Sequence, residues 1–221
     1  MTKKRSTIAQ LALASSCLWL AACSSTPPPP DWQMNAKSSL DRATNAWLSG
    51  DDRVEATEFA RARSELARTG RAELVARAEL TRCATRVASL VFEACTGFDA
   101  LALDAGAEER AYARYLEGAA LPADAALLPA QHRAAAQAIS APAIASIGDP
   151  LGVLVAAGVA LRRGQADPAI ATLAVEKASQ QGWRRPLLAW LKIQLTAAET
   201  AGNTADADSL RRRIDLVSKP P

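Results

Sequence analysis

Residues 149–182 read DPLGVLVAAGVALRRGQADPAIATLAVEKASQQG, and they contain the same device twice. Asp149-Pro150 and Asp167-Pro168 each place an N-capping carboxylate before a proline at the first helical position. There the aspartate accepts from first-turn N–H groups, and the missing proline N–H costs nothing. Gly164 and Gly182 then end the two apolar segments so begun, which predicts two helices joined by a turn of a few residues. Leu151 to Leu161 is almost continuously apolar. Eleven helical residues rise only about 16 Å, too short for a bilayer core of about 30 Å, so this segment is expected to be the most buried helix of the core. Downstream, a helix is expected from about Pro186 to Ala201, stopped by Gly202. The last one carries Ala207, Leu210, Ile214 and Val217 on one stripe.

The same reading extends upstream. A first helix is expected over about Asp31 to Ser49, with Ala36, Leu40, Ala43 and Trp47 on one stripe and a stop at Gly50-Asp51. A second is expected over about Arg53 to Thr69, with Phe59, Ala62 and Leu66 on a face and Gly70 after its end. A third starts at Arg71 and carries Ala76, Leu80, Cys83 and Val87. Ser89 to Asp99 reads as extended or irregular, with a turn at Thr96-Gly97. Shorter helices are expected at Ala107 to Leu116 and Ala130 to Ile139, with a loop containing Pro122 and Pro129 between them. Alanine and leucine dominate, aromatic residues make up 5%, and no window alternates apolar and polar residues at the strand period. The expected fold class is all-α, built from antiparallel helical hairpins.

The N-terminus has a different character. Lys3, Lys4 and Arg5 precede a largely apolar stretch from Ile8 to Leu20 that is too short to span and is interrupted by Gln10, Ser15 and Ser16, as in a secretory signal. Leu20-Ala21-Ala22-Cys23 follows directly and resembles the bacterial lipobox. That resemblance implies cleavage before Cys23, a diacylglyceryl group on its thiol and acylation of the new amino group, with the chain held on a membrane. Ser24, where inner-membrane lipoproteins carry Asp, implies the outer membrane, facing the periplasm. Ser24 to Pro30, ending in four prolines, reads as a stiff extended tether. The expected organisation is a signal at 1–22, a lipidated tether at 23–30 and a helical domain at 31–219, with sub-halves at 31–140 and 149–219.

The signal holds three of the 26 basic residues and none of the 23 acidic ones, so the remaining chain has 23 of each. Net charge therefore gives no reason to expect nucleic acid as a partner. His132 is the single histidine, and without neighbouring ligands at metal spacing it reads as a surface residue, with no metal or cofactor expected. Residues 23–221 contain no Gly-x-Ser-x-Gly, Ser-x-x-Lys or phosphate loop. None of the eleven glutamates precedes a serine, the arrangement found in helical peptidoglycan lyases. Glu108-Glu109 reads as a solvated helix start.

Gly164-Gln165-Ala166-Asp167-Pro168-Ala169-Ile170 resembles the inter-helix turn of tetratricopeptide repeats, and Trp47-Leu48-Ser49-Gly50-Asp51 is similar. Gly202 ends the next hairpin 38 residues after Gly164, against a family period of ~34. Ala157 and Glu176 stand where the family carries glycine and alanine. Both a repeat array and a plain helical bundle therefore remain open.

With Cys17 leaving in the signal and Cys23 acylated, Cys83 and Cys95 remain as a pair in an oxidising compartment. On one straight helix they would lie ~18 Å apart, so a disulfide requires the chain to reverse between them. Trp183 and Trp190 lie seven positions apart beside Arg184 and Arg185. One reading makes Trp190 core and Trp183 a hairpin cap packed on Gly182. The other makes Trp183, Arg184, Arg211, Arg212 and Arg213 one wall of a groove for an envelope protein, since Trp and Arg are enriched at binding hot spots. The expected function is a non-catalytic, membrane-tethered helical scaffold or protein-binding module. The rival reading is an envelope enzyme acting on peptidoglycan.

Overall fold

The computed structural model describes residues 28–219, and every regular element among them is helical. The signal, the lipobox and most of the tether lie outside these residues. In chain order the helices are α1 Asp31–Ser49, α2 Asp52–Ala67, α3 Ala72–Ala88, α4 Thr96–Asp99, α5 Ala107–Leu116, a 3-10 turn Pro122–Ala126, α6 Ala130–Gln137, α7 Ala141–Ala145, α8 Pro150–Arg162, α9 Pro168–Gln181, α10 Arg184–Thr200 and α11 Thr204–Ser218.

The capping signals act as the sequence indicates. Asp149 accepts from Gly152 N–H and Asp167 from Ile170 N–H; Asp51, which the sequence marks only as part of a helix stop, also caps α2 by accepting from Val54 N–H. Gly182 ends α9 at φ +67°, a left-handed conformation that glycine adopts without the Cβ clash other residues meet.

α8 is the centre of the molecule. Its residues from Gly152 to Ala160 are all buried, and α3, α5, α6, α7 and α9 pack around it. α10 then packs on α9, and α11 on α10. The main core runs from Ala76 on α3 to Leu191 on α10 and does not divide between residues 140 and 149. From Trp32 onward the helices form one unit. α1, α2 and α3 share a smaller apolar cluster of Ala43, Phe59 and Ala78.

Three local expectations change. Thr96-Gly97 opens the short helix α4, the loop between Pro122 and Pro129 contains a 3-10 turn, and α7 follows Ser140, whose hydroxyl accepts from Ala143 N–H. These elements are four or five residues long, too short to show a helical period in sequence.

The disulfide Cys83–Cys95 joins α3 to the start of α4 with 5.9 Å between Cα atoms. The reversal it needs occurs at the end of α3, where Leu90 N–H donates to Val87 O and Val91 N–H to Arg86 O. This is a Schellman turn with leucine, at φ +60°, where glycine is usual. Leu90 is retained there while packing its side chain against the main core.

Candidate functional site

An opening lies between α9, α10 and α11, a cavity of about 500 Å³. Its apolar floor includes Ala171, Ile193, Ala197 and Leu210, with Asp206 and Arg213 at its edge. A further space of about 320 Å³ adjoins it and shares Thr172, Gln194 and Arg213. The opening follows from side-chain size. Alanines supply much of the lining and their methyl groups fill little space, and α11 fully buries only Ala207.

A second cavity of about 360 Å³ lies between α3, α5 and the start of α6, and its lining includes Arg77, Glu109, Tyr112 and Arg133. Behind it, Tyr112, Tyr115 and His132 form an aromatic cluster with ring centroids 5.2–6.0 Å apart. His132 is only 2% exposed, which corrects its expected surface position. Three residues beyond Pro129, it is turned inward by α6 and shares a 3.4 Å contact between Nδ1 and the Tyr115 hydroxyl. Burial pulls its pKa down from 6.5 to about 4, against the weaker opposing field of Asp149.

An acid-stability consequence follows. Between pH 6.5 and about 4 the unfolded imidazole takes up a proton that the folded one refuses. Stability is therefore retained above 6.5 and lost as pH falls through this window, by about 2 kcal/mol between pH 7 and pH 5. Denaturant titrations of wild type and His132→Phe at both pH values check this. The same pH loss in both proteins would refute it.

The buried carboxylates are committed to arginines. Glu55, Glu58, Glu79, Glu109 and Asp124 are each only 3–8% exposed. Glu55 accepts from Arg82 Nε at 2.7 Å and from Arg86 at 3.3 Å. Burial pushes its carboxyl up, but the two guanidiniums outweigh this and hold it below the ordinary range. Arg42 and Arg61 clasp Glu58, Arg63 holds Glu79 at 2.9 Å and Arg77 holds Glu109 at 2.5 Å. Arg114 holds Asp124, bringing its pKa down to about 2. In the sequence these acids are indistinguishable from solvated ones, because their partners lie up to 32 residues away.

The five residues proposed for one groove wall do not come together. Trp190 is fully buried, its indole N–H donating to Ala88 O at 3.3 Å. Trp183 is half-buried, precedes α10 and packs against the main core. Arg184 lies against the turn between α1 and α2, where a Cβ on Gly50 would be 3.0 Å from its Nη2. Arg185 donates to Trp47 O at 2.7 Å and pairs with Asp52. Arg211 instead pairs with Glu199 and Asp208. Glu199 is 16 residues along α10 from Trp183, a rise of about 24 Å. Arg212 is exposed, and only Arg213 lines the open groove. Arg184 is taken up by the chain's own turn between α1 and α2, and Trp183 by the main core.

Among the described residues no three His, Cys, Asp or Glu side chains gather as a metal site, and no helix is long and apolar enough to cross a membrane. Compared with known proteins, the chain matches no family model, and neither a curated protein nor a solved structure is significantly similar to it.

Proposed function

We propose that this chain is a lipoprotein anchored in the outer membrane through Cys23, facing the periplasm, whose helical domain is a non-catalytic scaffold or protein-binding module. The observation that carries the docking part is the open, apolar-floored groove between α9, α10 and α11. The commitment of each buried carboxylate to arginine supports the non-catalytic part, since such an acid is poorly placed to give or take a proton in a reaction. The anchor rests on Leu20-Ala21-Ala22-Cys23 and the proline-rich segment after it.

Cross-linking in intact cells followed by mass spectrometry tests the docking role. A defined, stoichiometric protein adduct supports it, whereas turnover of purified cell wall by the soluble domain identifies an enzyme instead. The anchor is tested separately. Cys23→Ala is expected to abolish palmitate labelling and release the protein from membranes, because three acyl chains exceed the roughly two needed for stable anchoring. Labelling of the variant at the wild-type level would refute the lipid site.

A further inference from the structure

We propose that the groove between α9, α10 and α11 takes α11 of a second copy of this chain, laid antiparallel to its own α11. The inference rests on reading the groove as a docking surface and names its occupant. Asp206, Ser209, Arg213 and Leu216 follow one another at spacings of three, four and three, which places them on one stripe of α11. The first three line the groove. Leu216 is 75% exposed, an apolar side chain left without cover at the end of the stripe.

The charges on this stripe are self-complementary in one orientation only. Asp206 accepts from the neutral Asn203 side chain, and among the described residues neither Asp206 nor Arg213 has an ion-pair partner. A two-fold axis between residues 209 and 210 sets Asp206 of each copy opposite Arg213 of the other and so forms two ion pairs. A parallel arrangement would oppose Asp206 to Asp206 and Arg213 to Arg213. Ser209 beside the axis is small enough for the helices to approach closely. Leu216 then falls opposite Asn203, whose N–H donates to Ala198 O, so the leucine meets the alanine-lined end of the groove. Such an isologous contact closes at two copies. Its footprint is one helix and a groove, less than the roughly 800 Å² per partner of a stable complex. The association is therefore weak in dilute solution and favoured where copies are concentrated.

The test uses the full chain carrying Ser209→Cys, treated with copper–phenanthroline and run on a non-reducing gel. The expected product is an adduct of twice the chain mass, absent when the cysteine is placed instead at the exposed Thr57 on α2. Leu216→Glu, at a position already in solvent, and Arg213→Asp should each lower the yield about tenfold. Combining Arg213→Asp with Asp206→Arg should restore it. Absence of the double-mass product, or a yield unchanged by both single variants, overturns the proposal. Docking of a different partner is judged by the in-cell cross-linking above, so a failed Ser209→Cys adduct overturns the two-copy proposal and leaves the docking role standing.

Discussion

Gly158→Val is expected to destabilise the protein by about 3 kcal/mol or more, although valine has the better intrinsic helix propensity. Gly158 lies in the middle of α8, where α3 crosses it. A Cβ added there would come within 3.0 Å of the Val87 carbonyl carbon and closer still to its oxygen. A flexible side chain could move aside, but Val87 belongs to the buried face of α3 and its backbone is held in the helix. The two helices would have to separate, and the cavities so opened would affect the most buried element in the fold. Gly148 is the natural control, since a Cβ added to it would meet nothing within 4 Å and its φ is not left-handed. Gly148→Ala should be neutral or slightly stabilising. Chemical denaturation of both variants reads the difference, and a Gly158→Val midpoint equal to wild type would show that the crossing is not tight.

What the sequence revealed of this fold was the part governed by local rules. The two Asp-Pro starts, the glycine stops and the apolar run at 151–161 depend on residues within a turn of each other, and α1, α8 and α9 begin or end where these signals stand. The disulfide was legible as well, because it required only a chain reversal between Cys83 and Cys95. What depended on long-range packing was hidden. His132 has no sequence neighbour that marks it as buried. Its surroundings are Tyr112 and Tyr115 on another helix. Arg184 and Arg185 beside Trp183 had the composition of a binding hot spot, yet Arg185 reaches Asp52, 133 residues earlier in the chain. The residue types were right for recognition, and the fold uses them to recognise itself. The groove was equally invisible, because it arises where alanines leave space, not where distinctive side chains gather.

Trp47→Ala is expected to cost about 4 kcal/mol, the range found when a large buried aromatic is truncated. Trp47 stands at the end of α1, 9% exposed, with the Arg86 guanidinium 4.1 Å from its ring centroid and that of Arg185 at 3.8 Å. Its indole N–H donates to Thr85 O at 3.0 Å and also reaches the Ser89 hydroxyl at 3.2 Å. One side chain thus links α1 to α3 and α10. Removal would leave a void between the two guanidiniums, and burial already lowers the Arg86 pKa even with Glu55 beside it. Arginine stacked on indole gains from the ring quadrupole, and that gain is larger where water is excluded. Trp47→Phe keeps much of the ring between the cations and loses the hydrogen bond, so it should cost only about 1–2 kcal/mol. Arg185→Gln should cost less than Trp47→Ala, because the Arg185–Asp52 pair is partly in solvent and exposed pairs contribute little. Measured by guanidinium denaturation, the order Trp47→Ala, Trp47→Phe, Arg185→Gln tests whether the indole itself holds the first hairpin onto the C-terminal helices. If Trp47→Ala and Trp47→Phe lose the same stability, the hydrogen bond carries the junction and the stacked guanidiniums contribute nothing to it.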